Sequence, residues 1–79
     1  MKIKVKYFAM LRASAGKSEE ELETTASTPS ELFGELKERY NFKIDHHHLK
    51  VAINESYAPF DQSLCESDTV VFIPPVAGG

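Results

Sequence analysis

One cysteine, Cys65, stands alone among 79 residues. No intramolecular disulfide can form, which suits a reducing cytoplasm. Cys65 lies between Leu64 and Glu66, near acidic side chains that disfavour a thiolate, so a partly buried structural cysteine is expected rather than a nucleophile. Long apolar runs are missing too, and no segment approaches the roughly 20 residues of a membrane span. The opening Met1-Lys2-Ile3-Lys4-Val5-Lys6 alternates polar and apolar and lacks the continuous apolar core of a signal peptide. Nor is there a surplus of positive charge. Nine basic against 12 acidic side chains leave a formal charge of −3. The basic residues are spread along the chain, which argues against nucleic acid as a partner. Size is the last scarcity. A chain this short makes one domain and buries only about 60% of its unfolded surface. A fully enclosed active site is hard to build on it, so a carrier, binding module or subunit is favoured over a complete enzyme. No internal repeat or low-complexity segment interrupts it.

What is present fits an ordinary folded domain, with 42% hydrophobic and 27% charged residues. Residues 2–8 alternate with period two and predict a strand with Ile3, Val5 and Tyr7 on one face and Lys2, Lys4, Lys6 and Phe8 on the other. Residues 12–18 read as a loop turning at Gly16. A second strand is expected over 19–25, with Leu22 as its one strong core candidate and Glu19, Glu21 and Glu23 sharing the solvent face. Thr28-Pro29-Ser30-Glu31 is a helix start, with a capping threonine, proline at the first helical position and a glutamate to complete the capping box. Leu32, Phe33, Leu36 and Tyr40 follow as a single apolar stripe, Glu35 and Arg39 pair on the surface, and Asn41 ends the helix. Leu49 to Ile53 alternates again and stops at Asn54-Glu55. Residues 56–68 read as mostly irregular, anchored by Phe60 and Leu64, with a turn at Ser67-Asp68. Thr69 to Ile73 is the last strand, closed by Pro74-Pro75.

One amphipathic helix among such strands predicts an α+β fold: a mixed sheet of four to five strands with one main helix packed on one face. That is the β-grasp arrangement of ubiquitin-like domains, in which the first strand pairs parallel to the last through a right-handed crossover. The expected division is a domain over 1–75 and a flexible tail over 76–79.

The sequence closes on Gly78-Gly79. Glycine loses the most conformational freedom on ordering and buries no side chain, so it adds little stability there. It does give a backbone slim enough to enter a narrow slot, and the six residues from Pro74 can reach about 20 Å at roughly 3.3 Å each. Pro74-Pro75 stiffens the root and lowers the entropy lost on docking. If Val70 and Phe72 point to the helix, Val71 and Ile73 share the outer face with Phe8, beside that root. Such an exposed apolar patch marks an interaction site, and Tyr57 and Phe60 are expected to extend it.

Tyr7-Phe8-Ala9-Met10-Leu11-Arg12, Val51-Ala52-Ile53-Asn54 and above all Ser67-Asp68-Thr69-Val70-Val71-Phe72-Ile73-Pro74-Pro75-Val76-Ala77-Gly78-Gly79 resemble the small subunit of molybdopterin synthase, a sulfur carrier of the ubiquitin-like superfamily. Glu66-Ser67-Asp68 departs from the family's Asp-Gly-Asp turn, which puts the turn type in question. The resemblance implies that the Gly79 carboxylate is adenylated by a separate ubiquitin-activating-like enzyme using ATP, converted to a thiocarboxylate by a sulfur donor, and inserted into the large subunit to deliver sulfur to cyclic pyranopterin monophosphate. Gly78 then gives slim approach, and Pro74, Pro75, Val76 and Ala77 join the partner contacts. The chain itself would bind no cofactor or metal, would act in the cytoplasm, and would be no enzyme on its own. Other readings are a ubiquitin-like protein modifier, a thiamine-pathway sulfur carrier, and a plain interaction module with a silent tail.

Three further features have plainer readings. His46-His47-His48 cannot easily aim three adjacent imidazoles at one ion and reads as a solvated loop. Arg12 reads as an exposed side chain, and Glu19-Glu20-Glu21-Glu23 as a solvated strand face.

Overall fold

Alternating burial runs through the first strand, β1 (Lys2–Tyr7), where Ile3, Val5 and Tyr7 are all but inaccessible and the lysines between them are not. The structure, a computed structural model, describes residues 1–75, so the tail expected over 76–79 lies outside the described residues. After β1 come a short helix α1 (Ala9–Ala15), strand β2 (Glu19–Glu23), the main helix α2 (Pro29–Tyr40), a 3-10 turn over His46–His48, and strands β3 (Lys50–Ile53), β4 (Ser56–Ala58) and β5 (Thr69–Ile73). The sheet order is β2-β1-β5-β3-β4. β1 and β5 run parallel, from Lys4–Thr69 to Tyr7–Phe72, and the other pairs are antiparallel. This is the β-grasp arrangement, with β5 in the middle and β1 beside it.

The core forms between one face of the sheet and α2. Leu32, Phe33 and Leu36 meet Val5, Val51, Val70 and Phe72 in one buried cluster. Phe33 contacts Phe72 edge-on at 5.1 Å and stacks on Phe42 at 5.6 Å. Thr28 caps α2 by accepting the Glu31 amide, and Asn41 ends it in the left-handed region at φ 58°. The Glu31 carboxylate reaches one residue further back than a capping box requires, to the Ser27 amide at 2.7 Å. The chain end thus gains a second satisfied donor outside the helix proper.

Four expectations need correction. The loop predicted to begin at residue 12 is the end of α1. Its residues are good helix formers, but Leu11 is its one buried residue and Phe8 provides no side-chain cap, so neither a stripe nor a start signal is visible. Gly16 does turn the chain, as the left-handed cap at φ 77°. Residues 56–68 contain β4, which is only three residues long and forms because Asn54 and Glu55, both at positive φ, close a two-residue hairpin with Ile53 opposite Ser56. Cys65 is exposed rather than partly buried, because its amide, not its thiol, is what the fold holds, through the Asp68 carboxylate at 2.8 Å. Glu20 leaves the solvated acidic face. It shares the inward side of β2 with Leu22, where its Oε2 accepts hydrogen bonds from Tyr7 and from Tyr40.

The Ser67 turn forms without glycine, at φ 70°. Asp68 behind it is buried and ties the turn together, accepting from the Cys65 amide and from Asn54 Nδ2, each at 2.8 Å.

Candidate functional site

The parity of β5 places Val70 and Phe72 in the core with no exposed surface, and turns Val71 and Ile73 to the open face of the sheet. Register then decides their neighbours. Val71 lies between Lys6 and Ala52, and Ala52 lies opposite Tyr57. Tyr57, Ala52 and Val71 therefore form a row across the face, ending at Lys6. One pair nearer the end of β5, Ile73 lies opposite Lys50, and Phe8 continues the outward alternation of β1. Phe8 is half exposed and Tyr57 73% exposed. Apolar side chains this open, gathered beside the exit of one strand, suit a partner surface better than a core.

The structure places Phe8, Tyr57, Val71 and Ile73 on the open face of the sheet, and Phe60 elsewhere. The Phe60 ring stacks on Phe72 at 6.3 Å, with His46 on it at 5.0 Å, and its carbonyl accepts the Ser30 amide at the start of α2. Phe60 thus belongs to the helix side of the sheet, opposite the patch. It lies in a segment with no period, where no parity could be assigned. Pro74 is buried and so anchors the root, while Pro75 is exposed. Val76, Ala77, Gly78 and Gly79 lie outside the described residues. One patch member escaped the sequence reading, Ala52, which lies between Val71 and Tyr57. Met10, two residues after Phe8 in α1, is also half exposed.

The charged part of this face is separately balanced. The β1–β2 register opposes Lys2 to Glu23, Lys4 to Glu21 and Lys6 to Glu19, and Lys4 Nζ also lies 3.2 Å from Glu19. The lysine-rich flank therefore does not present an unopposed cationic stripe. Among the described residues no group of three or more histidine, cysteine or acidic side chains could hold a metal ion. His46 and His47 stack on each other at 4.2 Å rather than converging on a point, and Arg12 is exposed in the middle of α1.

A β-grasp domain with an apolar strip on its open sheet face, next to a proline-rooted C-terminal segment, defines the ubiquitin-like class. Comparison with known proteins narrows it: the ThiS family model matches residues 5–79, and the chain belongs to that family. It is 34% identical to the molybdopterin synthase sulfur carrier subunit of Mycobacterium tuberculosis, spanning the whole chain and 99% of that protein. It is 31% identical to the protein of the same description from Escherichia coli, over 98% of this chain and 99% of the other. Among solved structures it resembles the putative molybdopterin converting factor subunit 1 from Pyrococcus furiosus, with 36% identity, a TM-score of 0.79, and coverage of 96% of this chain and 99% of that one. It also resembles small archaeal modifier protein 1 from Methanosarcina acetivorans, with 26% identity, a TM-score of 0.78, and coverage of 99% and 96%.

Proposed function

We propose that this protein is the sulfur-carrying small subunit of a molybdopterin synthase, with the Gly79 carboxylate as its reactive group. The observation that carries this reading is the apolar strip of Phe8, Val71, Ile73 and Tyr57 at the root of the terminal segment. It supplies a docking face from which six residues reach about 20 Å into a partner. Support also comes from relatives described as sulfur carrier subunits, which match along nearly their whole length, and from the family match running to Gly79.

The chemistry follows from the poor reactivity of a carboxylate. An activating enzyme would direct a Gly79 carboxylate oxygen to the α-phosphorus of ATP, releasing pyrophosphate and leaving an acyl adenylate. Hydrosulfide supplied by a donor would then attack the carbonyl carbon, AMP would leave with the bonding electron pair, and the S–H proton would pass to solvent. The thiocarboxylate so formed is a soft anionic nucleophile. Placed in the large subunit's active site, its sulfur would attack a carbon of cyclic pyranopterin monophosphate in place of an oxygen leaving group, and water would then cleave the acyl–sulfur bond and regenerate the Gly79 carboxylate. This chain contributes docking, reach and the carboxylate, and the partners contribute catalysis. We place the reaction in the cytoplasm; among the described residues, no helix is long and apolar enough to cross a membrane.

The test is intact-mass measurement of the protein incubated with an activating enzyme, ATP and a sulfur donor. A gain equal to one oxygen replaced by sulfur is expected, and its absence under conditions that load a known carrier overturns the reading. The likeness to small archaeal modifier protein 1 favours a second reading, attachment of Gly79 to lysines of other proteins. Isopeptide-linked adducts in the same mixture would support it.

A further inference from the structure

Ending a central strand needs two stops, because successive residues of a strand turn their N–H and C=O groups to opposite neighbours. In β5 the Asp68 carbonyl accepts the Lys4 amide of β1 at 3.0 Å, and the Thr69 carbonyl accepts the Asn54 amide on the β3 side at 2.9 Å. Even-numbered residues of β5 therefore face β1, and odd-numbered ones face β3. The ladders stop at Tyr7–Phe72 on one side and Lys50–Ile73 on the other. Continued in the same registers, an amide at residue 74 would be aimed at the Phe8 carbonyl, and one at residue 75 at the backbone of His48. Both positions hold proline, which has no N–H to give.

On the β1 side the acceptor is already engaged, and on the β3 side the neighbouring amide is. The Phe8 carbonyl accepts the amides of Leu11 at 3.0 Å and Arg12 at 3.3 Å, which is how α1 starts. The His48 amide, the donor that would have met the carbonyl of residue 75, bonds Asp45 at 3.0 Å. Each proline thus removes a donor that would otherwise compete with α1 for the Phe8 carbonyl, on the β1 side, or pair with the His48 backbone, on the β3 side.

We propose that Pro74 and Pro75 form a two-sided strand terminator, Pro74 closing the β1 side and Pro75 the β3 side, so that pairing does not run past Ile73 into the segment that partners must grasp. They are positioning residues for the transfer reaction, a consequence that rests on the sulfur-carrier reading. Stiffening of the root is a separate effect, since an N-alkyl residue without the ring would terminate equally well. Two adjacent prolines are needed because β5 has a neighbour on each side, whereas an edge strand would need one.

The experiment compares Pro74→Ala, Pro75→Ala and the double alanine variant with a semisynthetic protein carrying N-methylalanine at both positions. Hydrogen exchange on the double alanine variant should show the new amides at 74 and 75 protected roughly tenfold or more over open-chain rates, as added backbone hydrogen bonds would give. Because pairing lowers only the fraction of molecules able to dock, KM for the activating enzyme should rise by a similar factor while kcat holds. N-methylalanine should restore KM. New amides that exchange at open-chain rates overturn the proposal. So does an N-methylalanine protein as impaired as the alanine one, because ring stiffness rather than donor removal would then be the cause. Failure of the sulfur-carrier reading is seen separately, as no oxygen-for-sulfur mass gain in the unaltered protein, and the exchange result then still decides the terminator.

Discussion

The carboxylate of Glu20 lies 2.6 Å from the hydroxyl of Tyr40, joining the edge strand β2 to the last turn of α2. The same oxygen accepts from Tyr7, and Lys17 reaches the other oxygen at 3.5 Å. Both tyrosines also pack edge-on at 6.0 Å. One acidic side chain therefore holds helix, central sheet and edge in a single polar contact.

Burial alone would raise the Glu20 pKa, but the hydrogen bonds from Tyr40 and Tyr7 and the Lys17 ammonium outweigh it and hold the carboxyl below its ordinary value. The Tyr7 hydroxyl moves the other way, pushed well above its usual range by burial and by Glu20, so it stays a donor. A carboxyl whose folded pKa is depressed adds stability above its unfolded pKa and loses it as pH falls through the folded one. Glu20→Gln should therefore cost about 1.5–3 kcal/mol at pH 7, the range for hydrogen bonds to a charged group. The difference from wild type should shrink as pH falls below the ordinary glutamate value and close once it passes the depressed folded one. Urea denaturation at pH 7 and pH 3 checks both statements, and a gap that stays constant with pH contradicts the assignment.

Gly34 sits in mid-helix on the exposed side of α2, and a Cβ there would meet nothing within 4 Å. Its flexibility serves no turn or close approach within the fold. Gly34→Ala should stabilise by about 0.5–1 kcal/mol and raise Tm by roughly 2–8 °C for a domain this size. Calorimetry measures it directly, and an unchanged or lower Tm would contradict the open space.

Asn54 combines two roles. Its backbone takes φ 51° in the hairpin turn, and its side chain donates to buried Asp68 and accepts the Thr69 amide at 2.9 Å. Asn54→Gly keeps the turn and loses the hydrogen bonds, for an expected cost of about 1–3 kcal/mol. Asn54→Ala loses both and should cost more, by about 1 kcal/mol. Equal costs for the two variants, in parallel denaturation curves, would show that the left-handed turn contributes nothing.

Phe8 and Phe60, both offered by the sequence as patch residues, should separate cleanly. Phe8→Asp is expected to leave Tm nearly unchanged and weaken binding to a molybdopterin synthase large subunit by tenfold or more, as loss of an interface aromatic does. Phe60→Ala should destabilise the fold by about 1–3 kcal/mol, less than a fully buried ring would, with binding retained. Titration calorimetry and thermal melts on both variants distinguish the two faces, and the reverse pattern would invert the site.

Much of this architecture was legible in local sequence. Period-two burial in β1, β3 and β5, the Thr28 cap and the Asn41 terminator all read correctly because each depends on neighbours within four residues. The short helix α1 and the three-residue β4 did not, because neither carries a full period or a start signal. Leu11 burial and the hairpin turn create them instead. Glu20 and Phe60 mark a second limit. A glutamate in an acidic run has no local reason to turn inward, and only Tyr7 and Tyr40, distant in sequence, provide the donors that make it favourable.

By itself the sequence determined which residues share a face and where the main helix starts and stops. Backbone period, capping and composition are local properties. Only the tertiary structure decided which face meets α2 and which stays open. That choice depends on the parallel pairing of β1 with β5 and on side chains brought together from far apart in the chain. The same pairing gives β5 a neighbour on each side, and so gives each of the two prolines that follow it a donor to remove.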